Sequence, residues 1–272
     1  MTPRPPPLEK SSVYFGLSEA CEKSGCPVCR IMEEASASYL DTLFYEQVTD
    51  VGVRRKLRQA RGLCNWHSER VRHLTMAALG VAIIAQDLLE EEIARLAALQ
   101  RQPFWQRVAT GVRARVSAPA LSAYLQGWRH RSFCPACQAV REHEQHALET
   151  MLNFLDEEVF AQRFDATAFG VCLPHLVRAA ERHPPHPGLA TLIDAQRRKY
   201  AGLVTELEEF CRKHDYRFSH EAWGIESDAW RRAIEVLAGK SAIFGNDLPR
   251  QQSPRRLQFF RSLFGWWRSR RR

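Results

Sequence analysis

A cysteine and histidine pattern that occurs twice, the second copy shifted from the first by a constant offset, constrains this chain more than any other feature. The first copy reads Cys26-Pro27-Val28-Cys29, then Gly62-Leu63-Cys64-Asn65-Trp66-His67; the second reads Cys134-Pro135-Ala136-Cys137, then Gly170-Val171-Cys172-Leu173-Pro174-His175. The step from Cys26 to Cys64 equals the step from Cys134 to Cys172, so CxxC and CxxH keep the same spacing in both copies. Three thiolates and one imidazole in this arrangement are the ligand set of a closed tetrahedral zinc site. The pattern predicts two sites, one for each copy. Spacing alone leaves open whether a site is built within one copy or exchanges donors between copies.

The offset extends beyond the donors. Glu34 matches Glu142, Leu40 matches Leu148, Thr42 matches Thr150, Arg55 matches Arg163, Arg70 matches Arg178 and Gly80 matches Gly188. This reads as an internal duplication. Under the same shift Cys21 falls on Arg129, and Cys211 falls on Pro103, which sets both apart from the ligand set.

Between the motifs the apolar residues follow a helical period: Ile31, Met32, Tyr39, Leu40, Leu43, Phe44 and Val48 in the first copy, then Val140, Ala147, Leu148, Met151, Leu152 and Leu155 in the second. Each CxxC therefore opens a long helix, with its proline where a missing N–H costs nothing. A second long helix is expected over residues 65–100, and again over 187–214 after the proline-rich turn at His183–Pro187. Strand signals are almost absent. The expected fold is all-α: two pseudo-equivalent helical halves, each with a Cys3His site, plus a C-terminal amphipathic helix. The expected boundaries are a disordered segment at 1–12, the halves at 13–116 and 117–240, and a linker and basic tail at 241–272.

With 272 residues and 45% hydrophobic content the chain can bury a large core. Residues 1–10 are polar and proline-rich, without the apolar stretch of a signal peptide, and the run 76–85 is half of what a membrane span needs. The expected location is cytoplasmic, with membrane association through the tail. In a reducing compartment clustered cysteines read as metal ligands before disulfides. A structural pair of zinc ions leaves no open coordination position for hydrolytic chemistry. Two other readings stay open: iron–sulfur clusters on the same eight donors, and thioredoxin-like dithiols, which would need a βαβ setting. Glu142 and His146 share a helical face in the manner of a di-iron site, but the first copy has Ala35 and Ser38 opposite His143 and His146, so a solvated face is favoured. No nucleophile elbow, Walker loop or dinucleotide fingerprint is present.

Of the net charge of +8, residues 241–272 hold +7: eight arginines against Asp247. Ser253-Pro254 suits a helix start. On the following helix Leu257, Phe260, Phe264, Trp266 and Trp267 occupy one side, and Arg255, Arg256, Arg261 and Arg268 complete a basic amphipathic element. Such a helix fits the surface of an anionic membrane. Folding back on the body and binding nucleic acid are the alternatives, and the near-neutral body offers no basic surface to extend a nucleic-acid footprint.

By its doubled CPxC and GxCxxH motifs, and by the run Lys213-His214-Asp215-Tyr216-Arg217-Phe218 followed by Glu221 and Trp230-Arg231-Arg232, the chain resembles an uncharacterised family of bacterial proteins over about residues 13 to 240. The resemblance implies a soluble, helical, cysteine-rich protein and brings no activity with it. Lys213, His214, Asp215, Tyr216 and Arg217 form a candidate ligand or partner site; the plainer reading is a helix end packed on the Trp230 helix. The function expected is a non-catalytic zinc-binding scaffold with a protein partner not identifiable from sequence, peripheral to the membrane. The alternatives are a redox or sensor protein and a nucleic-acid-binding protein that uses the tail.

Overall fold

The computed structural model describes residues 9–74, 77–99, 116–183, 186–218 and 220–244. Among the described residues there is no strand, and the chain runs through α1 (Ser12–Cys21), α2 (Pro27–Tyr45), α3 (Val51–Ala60), α4 (Asn65–Val71), α5 (Ala78–Leu99), α6 (Ala118–Arg129), α7 (Pro135–Phe154), α8 (Glu158–Ala166), α9 (Leu173–Arg182), α10 (Gly188–Lys213) and α11 (Ala229–Ala238). Two short 3₁₀ turns, Tyr216–Phe218 and Ile225–Asp228, join α10 to α11. The helix starts keep the sequence offset: α2 and α7 begin at Pro27 and Pro135, α4 and α9 at Asn65 and Leu173.

Local chemistry sets these boundaries. Cys26 and Cys134 are the N-caps of α2 and α7, each followed by proline at the first helical position. Asp50 caps α3 through its carboxylate and the Val53 amide at 2.7 Å, and Glu157 caps α8 through the Phe160 amide at 3.0 Å. The glycine of each Gly-x-Cys has positive φ, 96° at Gly62 and 70° at Gly170, a conformation that L side chains rarely adopt. These glycines let the chain turn sharply into the cysteine that caps the next helix.

Helices α2 and α7 make the most extensive helix–helix contact of the fold. Val28 and Met32 near the start of α2 share a buried cluster with Met151 and Leu152 near the end of α7. Leu40 and Leu43 near the end of α2 share another with Ala136 at the start of α7. The two helices are therefore antiparallel, with the core along their seam. Phe160, Phe164 and Phe169 complete the larger cluster from the α8 segment, with Leu17 from α1.

The helix expected over 65–100 is two helices, α4 ending at Val71 and α5 beginning at Ala78. In the second half prolines stand between α9 and α10; the first half has none between α4 and α5. The gap admits a close crossing. Gly80 at the start of α5 lies against the Phe44 carbonyl at the end of α2, and Gly188 lies in the same way against the Leu152 carbonyl at the end of α7. A Cβ at either glycine would overlap that backbone oxygen.

Candidate metal centres

The eight donors gather into two groups of four. Cys26 and Cys29 meet Cys172 and His175, while Cys64 and His67 meet Cys134 and Cys137, all ligating atoms of a group lying within 4.8 Å of one another. Spacing left open whether a site lies within one copy or exchanges donors between copies; in the structure each site takes its CxxC from one half and its CxxH from the other. The reason is helix length. Between the CxxC and CxxH of one half lie a helix of about 30 Å and a second of about 15 Å, so the chain reaches its CxxH far from its own CxxC. The antiparallel partner helix begins at that far end and brings the other CxxC.

Every donor sits at a helix start. Cys26, Cys64, Cys134 and Cys172 are N-caps, and Cys29, His67, Cys137 and His175 are the third helical residues. The i, i+3 spacing puts both donors of a motif on one face. Each site thus faces two helix N-termini, whose unpaired amides and positive dipole ends favour thiolates.

In the first site the His175 Nδ1 lies 3.4 Å from Cys26 Sγ, 3.5 Å from Cys29 Sγ and 3.2 Å from Cys172 Sγ, and Cys29 Sγ lies 3.7 Å from Cys172 Sγ. In the second site the His67 Nδ1 lies 3.1, 3.6 and 3.4 Å from the sulfurs of Cys64, Cys134 and Cys137, and Cys64 Sγ lies 3.6 Å from Cys137 Sγ. A tetrahedron with metal–sulfur bonds of about 2.3 Å and metal–nitrogen bonds of about 2.0 Å has edges of about 3.8 and 3.5 Å. The four edges quoted for each set lie within about 0.4 Å of these lengths. All eight cysteines are free thiols.

The electrostatics ask for a cation. Burial disfavours the Cys26 thiolate, yet hydrogen bonds from Cys172, Cys29 and His175 hold it well below the usual thiol range. Cys29 is pushed far up by its hydrogen bonds to Cys172 and Cys26 and by burial. The second site repeats this, with Cys64 drawn down by Cys134 and Cys137, and Cys137 driven up by Cys134, Cys64 and burial. Against burial, which lowers it, hydrogen bonds to Cys134 and Cys64 raise His67 to about 9. Donors packed this closely cannot all ionise unaided, a conflict that a dication removes by binding the thiolates and the neutral imidazole together.

The two sites differ in what surrounds the histidine. His175 Nε2 lies 3.2 Å from the carboxylate of Glu144, which is fully buried, and Arg178 donates to the two Glu144 oxygens at 2.6 and 2.5 Å. With Nδ1 toward the metal, Nε2–H is left to donate to Glu144, the arrangement that orients metal-bound histidines. The equivalent position of the first half is a buried serine, Ser36, so this carboxylate has no counterpart behind His67. The first site is also braced by α10: the Val171 amide donates to Gln196 Oε1 at 3.0 Å and Tyr200 donates to the Val171 carbonyl at 3.1 Å. The Phe244 ring packs on His175. The second site is the more accessible, with Cys64 and Cys137 only half-buried.

The remaining residues singled out by sequence lie elsewhere. Cys21 is buried, its thiol pushed up to about 12 by that burial, and Cys211 is exposed; neither joins a site. Glu142, His143 and His146 do not join one either, and Glu142 and His143 are exposed. Lys213 pairs with Glu226 at 2.7 Å, Arg217 with Asp215 at 2.6 Å, His214 bonds to the Phe210 carbonyl at 2.8 Å and Tyr216 is 85% exposed, so this segment closes the end of α10 by local pairing. The tail residues Leu257, Phe260, Phe264, Trp266, Trp267, Arg255, Arg256, Arg261 and Arg268 lie outside the described residues. No described helix is long and apolar enough to cross a membrane.

A model of a family of unknown function (DUF6062) matches residues 13–243, most of the chain and all eight donors. The chain belongs to this family. The span of the DUF6062 match agrees with the extent over which the sequence resembles an uncharacterised bacterial family. An uncharacterised 23.9 kDa protein in the xynA 3′ region of Caldicellulosiruptor sp. (strain Rt8B.4) is 24% identical over 224 residues, covering 81% of this chain and 98% of that protein. No solved structure matches the chain.

Sequence reasoning passed over Glu144. Its signal was present: with Val140, Ala147, Leu148 and Met151 it lies on the apolar face of α7, where a carboxylate needs a partner.

Proposed function

We propose that this DUF6062 protein is a non-catalytic scaffold in which two structural zinc ions staple two duplicated helical halves to each other. The observation that carries the reading is the convergence of eight donors into two four-donor sets with tetrahedral edge lengths. Donors that close to one another suit a single ion; an iron–sulfur cluster would interpose its own atoms between them. Four protein ligands fill a tetrahedral ion and favour a structural role over a hydrolytic one. The matching helix starts support the duplication. Metal content and a visible absorption spectrum on protein purified without oxygen test the reading: about two zinc per chain and no colour are expected, while iron with sulfide and a brown chromophore would replace it with a redox protein.

The sequence of the tail supports a second element of the proposal, attachment to an anionic membrane surface. Its aromatic side would enter the acyl boundary and its arginines would meet the headgroups. The full chain should float with anionic liposomes and a chain ending at Gly245 should not. Equal behaviour of the two removes the attachment.

A further inference from the structure

A cavity of about 330 Å³ opens beside the second metal site. His67 and Cys137 contribute from one side; Met32, whose sulfur lies 3.0 Å from His175 Nε2, contributes from the other. Three guanidinium groups line it: Arg70 on α4, Arg178 on α9 and Arg141 on α7. Arg70 and Arg178 are equivalent positions of the repeat, each on the turn after its site histidine, so the antiparallel packing aims matching residues of the two halves at one space. Met32 and Val140, another equivalent pair, both line it, and Trp66 and Ile243 extend the apolar wall.

We propose that this cavity binds a small organic oxyanion, a carboxylate or phosphate ester carrying an apolar body, with Arg70 and Arg141 holding the anionic group and Trp66, Met32 and Val140 enclosing the rest.

The charge of the lining sets the sign of the ligand. Among the described lining residues, three arginines stand against one carboxylate, Glu69, which pairs with Arg72 at 2.9 Å. Arg178 is held by Glu144, so it lends positive potential more than a direct bond. Arg70 has Glu33 at 3.9 Å, at the margin of an ion pair. Burial lowers the Arg141 guanidinium from its ordinary range, and Arg178 and Arg182 push the same way, against the opposing Cys137 and Glu144. Crowded cations in a half-buried space favour an anion, and planar guanidinium groups suit the paired oxygens of carboxylate and phosphate. The volume lies at the lower end of the range for small-molecule sites, and the mixture of apolar wall with a few convergent polar groups is typical of them.

The test is calorimetric titration of the metal-loaded full chain with benzoate, phenyl phosphate, inorganic phosphate and benzylamine. Saturable binding of benzoate or phenyl phosphate is expected, weaker for inorganic phosphate, which lacks the apolar body, and none for benzylamine. Arg70→Met and Arg141→Met should each weaken the preferred anion at least about 10-fold with the metal content kept, and Arg197→Met, on the exposed face of α10 and outside the cavity lining, should not. Absence of anion binding, equal binding of benzylamine, or affinity unchanged in both arginine variants overturns the proposal. A measurement on the unmodified chain guards against variants that misfold: with methyl-labelled methionine, the Met32 resonance should shift on adding the bound anion, and a resonance that stays in place at saturation equally overturns the site.

Discussion

Glu144 is one of the residues that distinguish the first site from the second. A carboxylate accepting from a metal-bound imidazole raises its basicity and fixes its orientation, and loss of such a partner typically costs about 10–100-fold in metal affinity. Glu144→Ala should therefore weaken metal binding at the first site by about that factor and leave the second unchanged, measured by competitive chelation on the full chain. Strip the unmodified protein stepwise and the more exposed second site should lose its ion first. Away from the metals, Glu157 joins α1 to α8: it accepts from Lys10 and from Tyr14, each at 2.9 Å, while capping α8. The Lys10 ammonium first, and the Tyr14 hydroxyl and Phe160 amide after it, hold this carboxyl below its ordinary range. A carboxyl lowered on folding stabilises the native state fully above about pH 5, and that contribution is lost as the pH falls through the lowered value. The melting-temperature gap between the wild type and Glu157→Gln should be widest near neutral pH and close on acidification; a gap that widens in acid would contradict it. At this scale the members of the two Cys/His groups were legible as candidate donors, because CxxC and CxxH are local patterns. Glu144 was harder to read, because its role depends on an imidazole two helices further along the chain.

The elements obey rules that sequence displays unevenly. Proline after cysteine announced the starts of α2 and α7, and glycine before CxxH announced a turn that only glycine makes without strain. The passage from α4 to α5 carried no such mark, since no proline stands between them and packing against α2 decides where α5 crosses. Gly80 and Gly188 show what that packing requires. Each is the point where one helix start crosses the end of another backbone to backbone, so an added methyl group has only a fixed carbonyl oxygen to displace. Overpacking of this kind typically costs about 1–3 kcal/mol. Gly188→Ala should lower unfolding stability within that range in denaturant titration, and Gly202→Ala, where a methyl group would enter open space on the same helix, should not.

For the whole molecule the exchanged donors matter most. Sites built within each half would let one half loosen while the other stayed folded; bridging sites couple the two. Structural zinc is worth on the order of 10 kcal/mol in small domains, comparable with the full stability of a protein this size. Cys64→Ser should therefore raise amide exchange in α4 and also at the start of α7, in the other half of the chain, as hydrogen exchange with mass spectrometry would read. Increased exchange confined to the first half would contradict a bridging site. The sequence by itself determined the helical class, the doubled CxxC and CxxH spacing and the eight candidate donors, because each follows from residue type and short-range spacing. Only the tertiary structure decided which motif meets which, set Glu144 behind one histidine, and gathered three arginines about a cavity. Those outcomes rest on α2 and α7 running antiparallel: a rigid helix of about 30 Å keeps each CxxC from its own CxxH and delivers it to the other half.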